Sequence, residues 1–476
     1  MEFETVIGLE VHVELATNTK IFCTCENKFG GEPNTHCCPV CTGMPGVLPV
    51  LNKKVVEFAA KAGLATNCEI ANFSKMDRKG YYYPDLPKAY QISQFDLPLC
   101  KGGYIDIKAG GAEKRVRITR IHMEEDAGKL LHDAGAGTAV DYNRCGVPLI
   151  EIVTEPDLRS AEETKAFLET LKSILQYTGV SDCKMQEGSL RCDVNISVRE
   201  AGSDVLGTRT EMKNLNSFSA VYRAIEAESE RQIDLISDGG TVVQETRRFD
   251  DVKGKSYAMR SKEEAHDYRY FPDPDLVPIT LTYEQIQVFK DSLPELPAAK
   301  QRRYVDSLGL PEYDAGVLTA EKAVALFFED CLNDYGDSKR LSNFIMSDLL
   351  RLLKEDGISP EDNPVKPEHL VKTLKMVDEG RINMTVGKAV FEEVFRTGED
   401  PEAIVSKKGL TQLNDSDEIR AMIKRAIADN PGPVADFKGG KQKAILFFVG
   451  QVMKATKGQA NPQIVNEIAL EELKQA

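Results

Sequence analysis

Apolar and polar residues alternate in short runs through the first part of the chain. In the run V-I-G-L-E-V-H-V-E-L near the N-terminus, Leu9, Val11 and Val13 lie on one side of a predicted strand. Glu10 and His12 lie together on the other side, because the side chains of a strand alternate between its two faces. The pattern predicts a half-buried strand that presents a carboxylate and an imidazole to a site.

The same period of two recurs further along the chain and again carries polar side chains. P-L-I-E-I-V-T places Glu151 inside an apolar run, and R-C-D-V-N-I-S-V-R places Asp193 on the polar face of a strand. T-E-M-K adds Glu211, and V-R-I-T-R predicts a strand followed directly by the acidic cluster H-M-E-E-D. A lone buried charge is costly unless it is paired or bound to a metal. Helical stretches are predicted at 53–66, 161–177 and 217–237.

The pattern becomes helical after Pro294 and Pro297. Segments such as K-R-L-S-N-F-I-M-S-D-L-L-R-L-L-K repeat apolar residues at helical spacing, and loops rich in proline and glycine separate them. A further helical module begins near Ser406. The sequence therefore predicts an α+β chain with a mixed α/β domain at 1–293, a helical domain at 294–405 and a small helical tail at 406–476.

Composition and charge agree with a large soluble protein. The 476 residues, 42% of them apolar, provide for about three domains. Because no apolar run approaches eighteen residues and the chain starts M-E-F-E-T rather than with a basic leader, we expect a cytoplasmic protein without a membrane segment. The net charge of -15 argues against a protein that coats nucleic acid nonspecifically.

The tail has the opposite charge. Residues 406–476 contain 11 Lys or Arg against 8 Asp or Glu, a net charge of +3. Its apolar residues Ile445, Leu446, Phe448 and Val449 are predicted to face inward. The lysines that are then predicted to face outward are Lys438, Lys441, Lys443, Lys454 and Lys457.

The polar strand segments favour metal chemistry. Crowded carboxylates repel one another and stay ionised only beside a cation, so their clusters indicate a divalent metal. For each segment alone, a solvated turn or an ordinary sheet with one wet face is the alternative. Five such segments in the first 220 residues favour the metal. No P-loop or dinucleotide-binding glycine pattern accompanies them.

A second metal signal lies close to the N-terminus. Four cysteines form the pattern C-x-C-x12-C-x2-C, which suits a tetrahedral, structural Zn2+; they are Cys23, Cys25, Cys38 and Cys41. His36 and Cys37 precede Cys38 directly, so one of them is an alternative third ligand. Free thiols or a disulfide are the other interpretations, and a reducing cytosol argues against the disulfide. The six remaining cysteines are interpreted as small apolar core residues; they are Cys68, Cys100, Cys145, Cys183, Cys192 and Cys331.

Long motifs in a fixed order resemble one known family. They are I-G-L-E-V-H-V-E-L (7–15), M-P-G-V-L-P-V-L-N (44–52), D-R-K-G-Y-Y-Y-P-D-L-P-K-A-Y-Q-I-S-Q (77–94), H-M-E-E-D-A-G-K (122–129), P-L-I-E-I-V-T-E-P-D (148–157), E-G-S-L-R-C-D-V-N-I-S-V-R (187–199), E-M-K-N-L-N-S-F (211–218) and, later, E-T-R-R-F-D, D-Y-R-Y-F-P-D-P-D and K-A-T-K-G-Q-A-N-P. In these motifs the chain resembles the B subunit of the tRNA-dependent aspartyl/glutamyl amidotransferase over essentially its whole length.

The resemblance implies a reaction and its partners. The family converts Glu-tRNA(Gln) to Gln-tRNA(Gln), and often Asp-tRNA(Asn) to Asn-tRNA(Asn), with ATP and with ammonia that an amidase A subunit releases from glutamine. A small C subunit completes the heterotrimer. The expected folds are a cradle-like catalytic domain, a helical domain and a helical tail that grips tRNA, which makes the five tail lysines candidate tRNA ligands.

The resemblance also implies a set of Mg2+ ligands. We expect His12, Glu125 and Glu151 around one ion. A second position is expected to be surrounded by Glu10, Glu124, Asp193 and Glu211. Arg191 and Lys213 are candidates to neutralise phosphate, and salt bridges to the neighbouring acids are the alternative for both.

Two other function classes remain open from the sequence. A non-enzymatic tRNA-binding module explains the basic tail but leaves the acidic residues without a role. A stand-alone metallohydrolase explains the acidic residues but leaves the tail without a role.

Overall fold

The fold is described by a computed structural model covering residues 2–132, 137–261, 267–410, 416–456 and 460–475. The chain divides into two compact units, Met1–Lys300 and Gln301–Ala476. The first unit contains the strands and the second is helical, which confirms the predicted α+β class.

The strands are short except for three long ones at the centre of the first unit. In chain order they are β1 (Phe3–Glu14), β2 (Glu69–Ile70), β3 (Phe73–Ser74), β4 (Asp77–Gly80), β5 (Tyr90–Ser93), β6 (Cys100–Lys101), β7 (Tyr104–Ala109), β8 (Ala112–Glu125), β9 (Lys129–Leu131), β10 (Ala139–Asp141), β11 (Pro148–Thr154), β12 (Leu190–Glu200), β13 (Thr210–Lys213), β14 (Glu245–Asp250), β15 (Lys255–Ser261), β16 (Phe271–Pro272) and β17 (Ile279–Thr280).

A ten-stranded sheet forms the framework of this unit. Its order is β15-β14-β13-β12-β1-β11-β8-β6-β2, and β7 pairs with β8. The five strands from β13 to β8 are antiparallel to their neighbours, whereas β13 and β14 run parallel. The acidic cluster of H-M-E-E-D was predicted to follow its strand. In the structure β8 continues through Glu125, because its last residues pair with β11.

Helices cover the apolar face of the sheet. The helices of this unit are α1 (Lys53–Ala65), α2 (Ala161–Thr178), α3 (Phe218–Ser237) and α4 (Tyr283–Asp291), with α5 (Pro297–Leu308) crossing into the next unit. The first three confirm the predicted helical stretches. Each begins at a side-chain cap, Asn52, Ser160 or Ser217, whose oxygen accepts a backbone N–H of the first turn. Their apolar faces and the apolar side of β1 and β12 form one core.

The second unit consists of helices joined by short turns. They are α6 (Glu312–Ala320), α7 (Lys322–Leu332), α8 (Ser338–Phe344), α9 (Leu350–Asp356), α10 (Pro367–Asp378), α11 (Met384–Thr397), α12 (Pro401–Lys408), α13 (Ser416–Asp429), α14 (Pro431–Lys438), α15 (Ile445–Ala455) and α16 (Pro462–Gln475), and a π-helical turn (Ile345–Leu349) separates α8 from α9. Two cores lie in this unit. One extends from Tyr304 to Val405, and the other extends from Ile419 to Ala469.

Within the described ranges of the chain, no helix combines the length and the apolar character needed to cross a membrane.

Candidate active site and metal-binding groups

Polar side chains form two rows across the sheet face that is opposite the apolar core. His12 of β1 lies between Glu151 of β11 and Arg191 of β12, and Glu151 in turn lies opposite His122 of β8. One step along the strands, Glu10 lies opposite Asp193. Directly paired residues share a face and lie about 5 Å apart. The sheet register therefore brings together side chains that are more than one hundred residues apart in the sequence.

His12, His122, Glu124 and Glu151 make up the first group, here called the histidine–carboxylate group. His12 Nε2 lies 3.6 Å from Glu124 Oε1 and 3.5 Å from Glu151 Oε2. His122 Nε2 lies 3.7 Å from Glu124 Oε2 and 3.3 Å from Glu151 Oε2. Glu124, Glu151 and His122 are buried. Ligand atoms of His12, Glu124 and Glu151 are close enough to share one metal ion.

The two histidines compensate the charge of the two carboxylates. Burial lowers the pKa of His122, but Glu124 and Glu151 raise it to about 9 overall. Burial also opposes ionisation of Glu151, whose pKa nevertheless lies well below its usual range because His12 and His122 donate to it. The carboxylates are thus ionised, and paired carboxylates with an imidazole are a donor set that a divalent cation accepts.

Glu10, Asp193 and Glu211 make up the second group, here called the triple-carboxylate group. Their oxygens lie within 4.8 Å of one another, so the three residues can also hold a metal ion. Asn195 Nδ2 donates to Glu10 Oε1 at 2.9 Å, and Thr246 Oγ1 donates to Glu211 Oε2 at 2.8 Å. These hydrogen bonds fix the orientation of two carboxylates, and the oxygen-only donor set suits a hard cation.

The structure corrects the predicted positions of Glu124 and Glu125. Glu124 lies with His12 and Glu151, whereas Glu125 points to the other face because neighbouring residues of a strand alternate. Glu125 Oε1 accepts a 2.9 Å hydrogen bond from the backbone N–H of Ile92 and pairs with Lys88 Nζ at 2.5 Å. The predicted grouping of Glu125 with His12, and of Glu124 with the triple-carboxylate group, is therefore wrong. Glu125 lines a separate cavity of about 140 Å³.

Both predicted phosphate-binding cations are engaged in ion pairs. Arg191 Nη2 lies 2.8 Å from Asp126 Oδ2. Lys213 Nζ lies 3.0 Å from Glu211 Oε1 and also pairs with Asp193. The salt-bridge alternative thus describes Arg191 and Lys213 as they stand in the structure.

The four predicted zinc ligands converge on one point beside the cavity that Glu125 lines. The sulfurs of Cys23, Cys25, Cys38 and Cys41 all lie within 4.8 Å of one another, so the quartet can hold a metal ion. The backbone N–H of Cys38 donates to Cys41 Sγ at 3.1 Å. Hydrogen bonding from Cys23 and Cys38 lowers the pKa of Cys41 to about 5, although burial opposes this shift. A thiolate is the form that binds metal.

The alternative third ligands lie outside the quartet. Cys37 Sγ donates to the carbonyl oxygen of Asn34 at 3.3 Å, and it is Cys38 that joins the other three cysteines. The six remaining cysteines are buried, which confirms their predicted place in the core.

Comparison with known proteins assigns the chain to a family. Residues 5–287 match the GatB/GatE catalytic domain, and residues 326–473 match the GatB domain. The chain is 63% identical over 477 residues to the B subunit of the aspartyl/glutamyl-tRNA(Asn/Gln) amidotransferase of Caldicellulosiruptor bescii, with 99% of each chain covered. It is 60% identical to the equally named protein of Thermoanaerobacter pseudethanolicus, covering 99% of this chain and 100% of the relative. The chain belongs to the GatB family. Because these relatives are named as subunits, GatB proteins act within a multi-subunit amidotransferase.

The predicted ligand set left out three residues that contact these two groups. His122 lies two residues before Glu124 and therefore on the same strand face, a signal that the alternation contains. Asn195 is likewise two residues after Asp193. Thr246 had no such signal, since it reaches Glu211 only through the parallel pairing of β13 and β14.

Four of the five predicted tail lysines lie on the surface of the second unit. Lys438, Lys441, Lys443 and Lys454 are exposed, and Lys457 lies outside the described residues. Lys441 Nζ pairs with Asp436 at 2.9 Å. The prediction that Leu446 faces inward is wrong, because α15 buries Phe448 and Val452 and Leu446 lies on another side of the helix, 63% exposed.

Proposed function

We propose that the chain is the component that activates and amidates the side-chain carboxylate of Glu-tRNA(Gln), Asp-tRNA(Asn) or both, with ATP and glutamine-derived ammonia. The observation that carries the proposal is the pairing, on one sheet face, of the histidine–carboxylate and triple-carboxylate groups in a chain of the GatB family. A non-enzymatic tRNA-binding module has no use for two such groups.

The chemistry requires activation before amide formation. A carboxylate is a poor electrophile, so one of its oxygens first attacks the γ-phosphorus of ATP. The bond from this phosphorus to the β–γ bridging oxygen breaks, and ADP leaves. Ammonia then attacks the carbonyl carbon of the acyl phosphate, the carbon–oxygen bond to phosphate breaks, and the departing phosphate takes up the proton that ammonia loses. The products are the amide, ADP and phosphate.

The residues of the two groups suit this sequence of steps. His12, Glu124 and Glu151 would hold one Mg2+, and Glu10, Asp193 and Glu211 would hold a second cation. Bound there, the ions would supply positive charge that neutralises the transferred phosphate. Asn195 and Thr246 keep the second group oriented through their hydrogen bonds to Glu10 and Glu211. Lys213, which pairs with Asp193 and Glu211, offsets part of the negative charge of that group and would be a candidate to contact phosphate with a cation bound there.

The proposal also includes a zinc ion, two partner subunits and tRNA. The cysteine quartet would hold a structural Zn2+. The chain would work in the cytoplasm in a heterotrimer with an amidase A subunit, which releases ammonia from glutamine, and a small C subunit. The exposed tail lysines would contact the aminoacyl-tRNA.

The proposal is tested with the complete complex on misacylated tRNA. Glu151→Gln and Glu124→Gln should each lower ATP-dependent amide formation by at least about 100-fold, because each removes a charge that positions the phosphate. Glutamine hydrolysis by the amidase should persist. Glu113→Gln, an exposed glutamate on the same strand β8, is the matched control and should keep the parent rate. Parent rates in Glu124→Gln and Glu151→Gln, or a parent complex without ATP-dependent amide formation, would contradict the proposal.

A further inference from the structure

Lys79 is a cation of the active-site wall that differs from Arg191 and Lys213. Within the described ranges of the chain, no carboxylate lies within ion-pair distance of its ammonium. Two tyrosine rings lie beside it instead, with Nζ 4.9 Å from the ring centre of Tyr268 and 5.8 Å from that of Tyr81. Aromatic faces attract a cation without neutralising its charge. The positive charge of Lys79 is therefore kept available for another anion.

The strand pairing places Lys79 beside the histidine–carboxylate group. Lys79 of β4 lies opposite Gln91 of β5. The side chain of Gln91 donates to the carbonyl oxygen of Glu125 at 2.8 Å, and Ser93, two residues further on, donates to Glu124 Oε2 at 3.4 Å. These bonds hold the β4–β5 hairpin against the end of β8, where Glu124 lies.

The electrostatics agree with this placement. Burial lowers the pKa of Lys79, but the charges of Glu124, Tyr270 and Glu151 raise it overall. The ammonium thus lies in the field of the same carboxylates that would hold the metal ion. A phosphate between the ammonium and the ion would have positive charge on both sides.

Tyr268 is held beside Lys79 by the backbone. The carbonyl oxygen of Tyr268 accepts a 2.8 Å hydrogen bond from the N–H of Gly80, the residue after Lys79. Arg269 follows with φ +46, a left-handed conformation that is unfavourable for a residue with a side chain. The Asp267 carboxylate stabilises this turn by accepting from the N–H of Arg269 at 3.0 Å. Strain of this kind is found where a side chain must be held in a required position.

We propose that Lys79 binds the phosphoryl group that ATP transfers to the substrate carboxylate. The inference rests on the proposed function and adds to it the residue that recognises the transferred phosphate. The ammonium contacts the γ-phosphate oxygens in ATP and the same oxygens in the acyl phosphate. The tyrosine rings keep the ammonium from closing onto Glu124 and Glu151 before the nucleotide arrives.

The test uses the complete complex with ammonium chloride as the nitrogen source, so that glutamine hydrolysis and ammonia transfer do not limit the rate. Lys79→Met, which retains the length of the side chain, should lower kcat/KM for ATP by at least about 100-fold. Lys79→Arg should recover most of the loss because it restores the charge. Lys101→Ala, an exposed lysine on β6 of the same unit, should behave as the parent.

A second measurement separates phosphate binding from a structural role. Lys79→Met should weaken binding of a non-hydrolysable ATP analogue at least tenfold more than binding of ADP, because ADP lacks the γ-phosphate. Equal weakening of both, unchanged ATP kinetics, or a loss seen with glutamine but not with ammonium chloride would overturn the assignment. If Lys79→Met fails to fold, Lys79→Arg provides the decision. A preference for the ATP analogue over ADP that equals the parent's supports the proposal, and loss of that preference overturns it. Absence of ATP-dependent amide formation in the parent complex would instead contradict the proposed function.

Discussion

The buried side chain of Lys20 indicates the charge state of the neighbouring cysteine quartet. Its side chain is fully buried, and its ammonium donates to the carbonyl oxygen of His36 at 2.7 Å and to Cys41 Sγ at 3.8 Å. A buried ammonium is costly without a nearby negative charge. A metal-bound cysteine quartet carries such a charge, because four thiolates exceed the charge of one divalent ion by two. Lys20 therefore favours metal-bound thiolates over neutral thiols at this position.

The quartet can be tested by comparing two neighbouring cysteines. Cys41→Ser should remove most of the zinc and lower the temperature of unfolding, because a hydroxyl does not replace a thiolate in a tetrahedral site and metal binding is coupled to folding. Cys37→Ser should retain about one zinc per chain, since Cys37 lies outside the quartet. Elemental analysis and thermal unfolding of both variants provide the measurements. A parent protein without zinc after expression in zinc-replete medium, or zinc retained in Cys41→Ser, would contradict the assignment.

At the scale of elements, a buried glutamate connects helix α3 to the edge of the sheet that carries Glu211. Glu228 is fully buried and accepts hydrogen bonds from Thr210 of β13 at 3.0 Å, Ser256 of β15 at 2.9 Å and Arg231 at 2.6 Å. Arg247 of β14 lies 3.4 Å away. Burial raises the pKa of Glu228, but these donors lower it overall, so the group is ionised near neutral pH.

Removal of this carboxylate should destabilise the first unit. Glu228→Ala leaves Arg231 and Arg247 without their buried partner and should cost about 3–5 kcal/mol in the free energy of unfolding. Because the folded-state pKa is depressed, the stabilisation is present above the usual glutamate pKa and is lost as the pH falls towards the depressed value. The difference between the parent and Glu228→Ala should thus be large at pH 7 and smaller in acid.

An exposed glutamate on the same helix provides the control. Glu226→Ala should change the free energy of unfolding by less than about 0.5 kcal/mol. Urea denaturation of the three proteins at neutral and acidic pH gives the comparison. A Glu228→Ala variant as stable as Glu226→Ala would show that α3 is held by apolar packing alone.

An element could be predicted from the sequence when the residue pattern that specifies it lies within one segment of the chain. Alternation along β1, β12 and β13 and the helical periods of α1, α2 and α3 lie within single segments, and the structure confirms them. The end of β8 was predicted too early because pairing with β11, not local pattern, extends it.

Positions of side chains that depend on distant partners could not be predicted. Lys88 holds Glu125 on the face away from His12, and no local pattern relates these residues. The exposure of Leu446 likewise depends on which side of α15 packs against other helices. The sequence therefore predicts the members of the metal-binding groups, whereas the division between the groups requires the sheet register.

At the scale of the whole molecule, charge is distributed unevenly between the acidic chain and its basic tail. Residues outside 406–476 carry a net charge of -18, against +3 for the tail. The tail has its own core, formed by α13, α15 and α16 around Ile419, Val452 and Ile468. Helix α12 instead packs its residues Ile404 and Val405 into the preceding core. A truncation that removes the basic tail should therefore begin after α12.

Removal of residues 411–476 should raise the KM for aminoacyl-tRNA and flatten the salt dependence of binding, because lysine–phosphate contacts release counterions. Glutamine hydrolysis in the absence of tRNA should persist, since it belongs to the partner amidase.

Charge reversal of Lys438, Lys443 and Lys454 tests the same contacts without removing the core. It should reduce, by about two to three, the magnitude of the slope of the logarithm of the tRNA-binding constant against the logarithm of the salt concentration. Lys354→Glu, at an exposed position on α9, is the control and should leave the slope unchanged. Parent-like tRNA affinity in both the truncated and the charge-reversed complexes would show that the tail serves packing or assembly and that tRNA binds elsewhere.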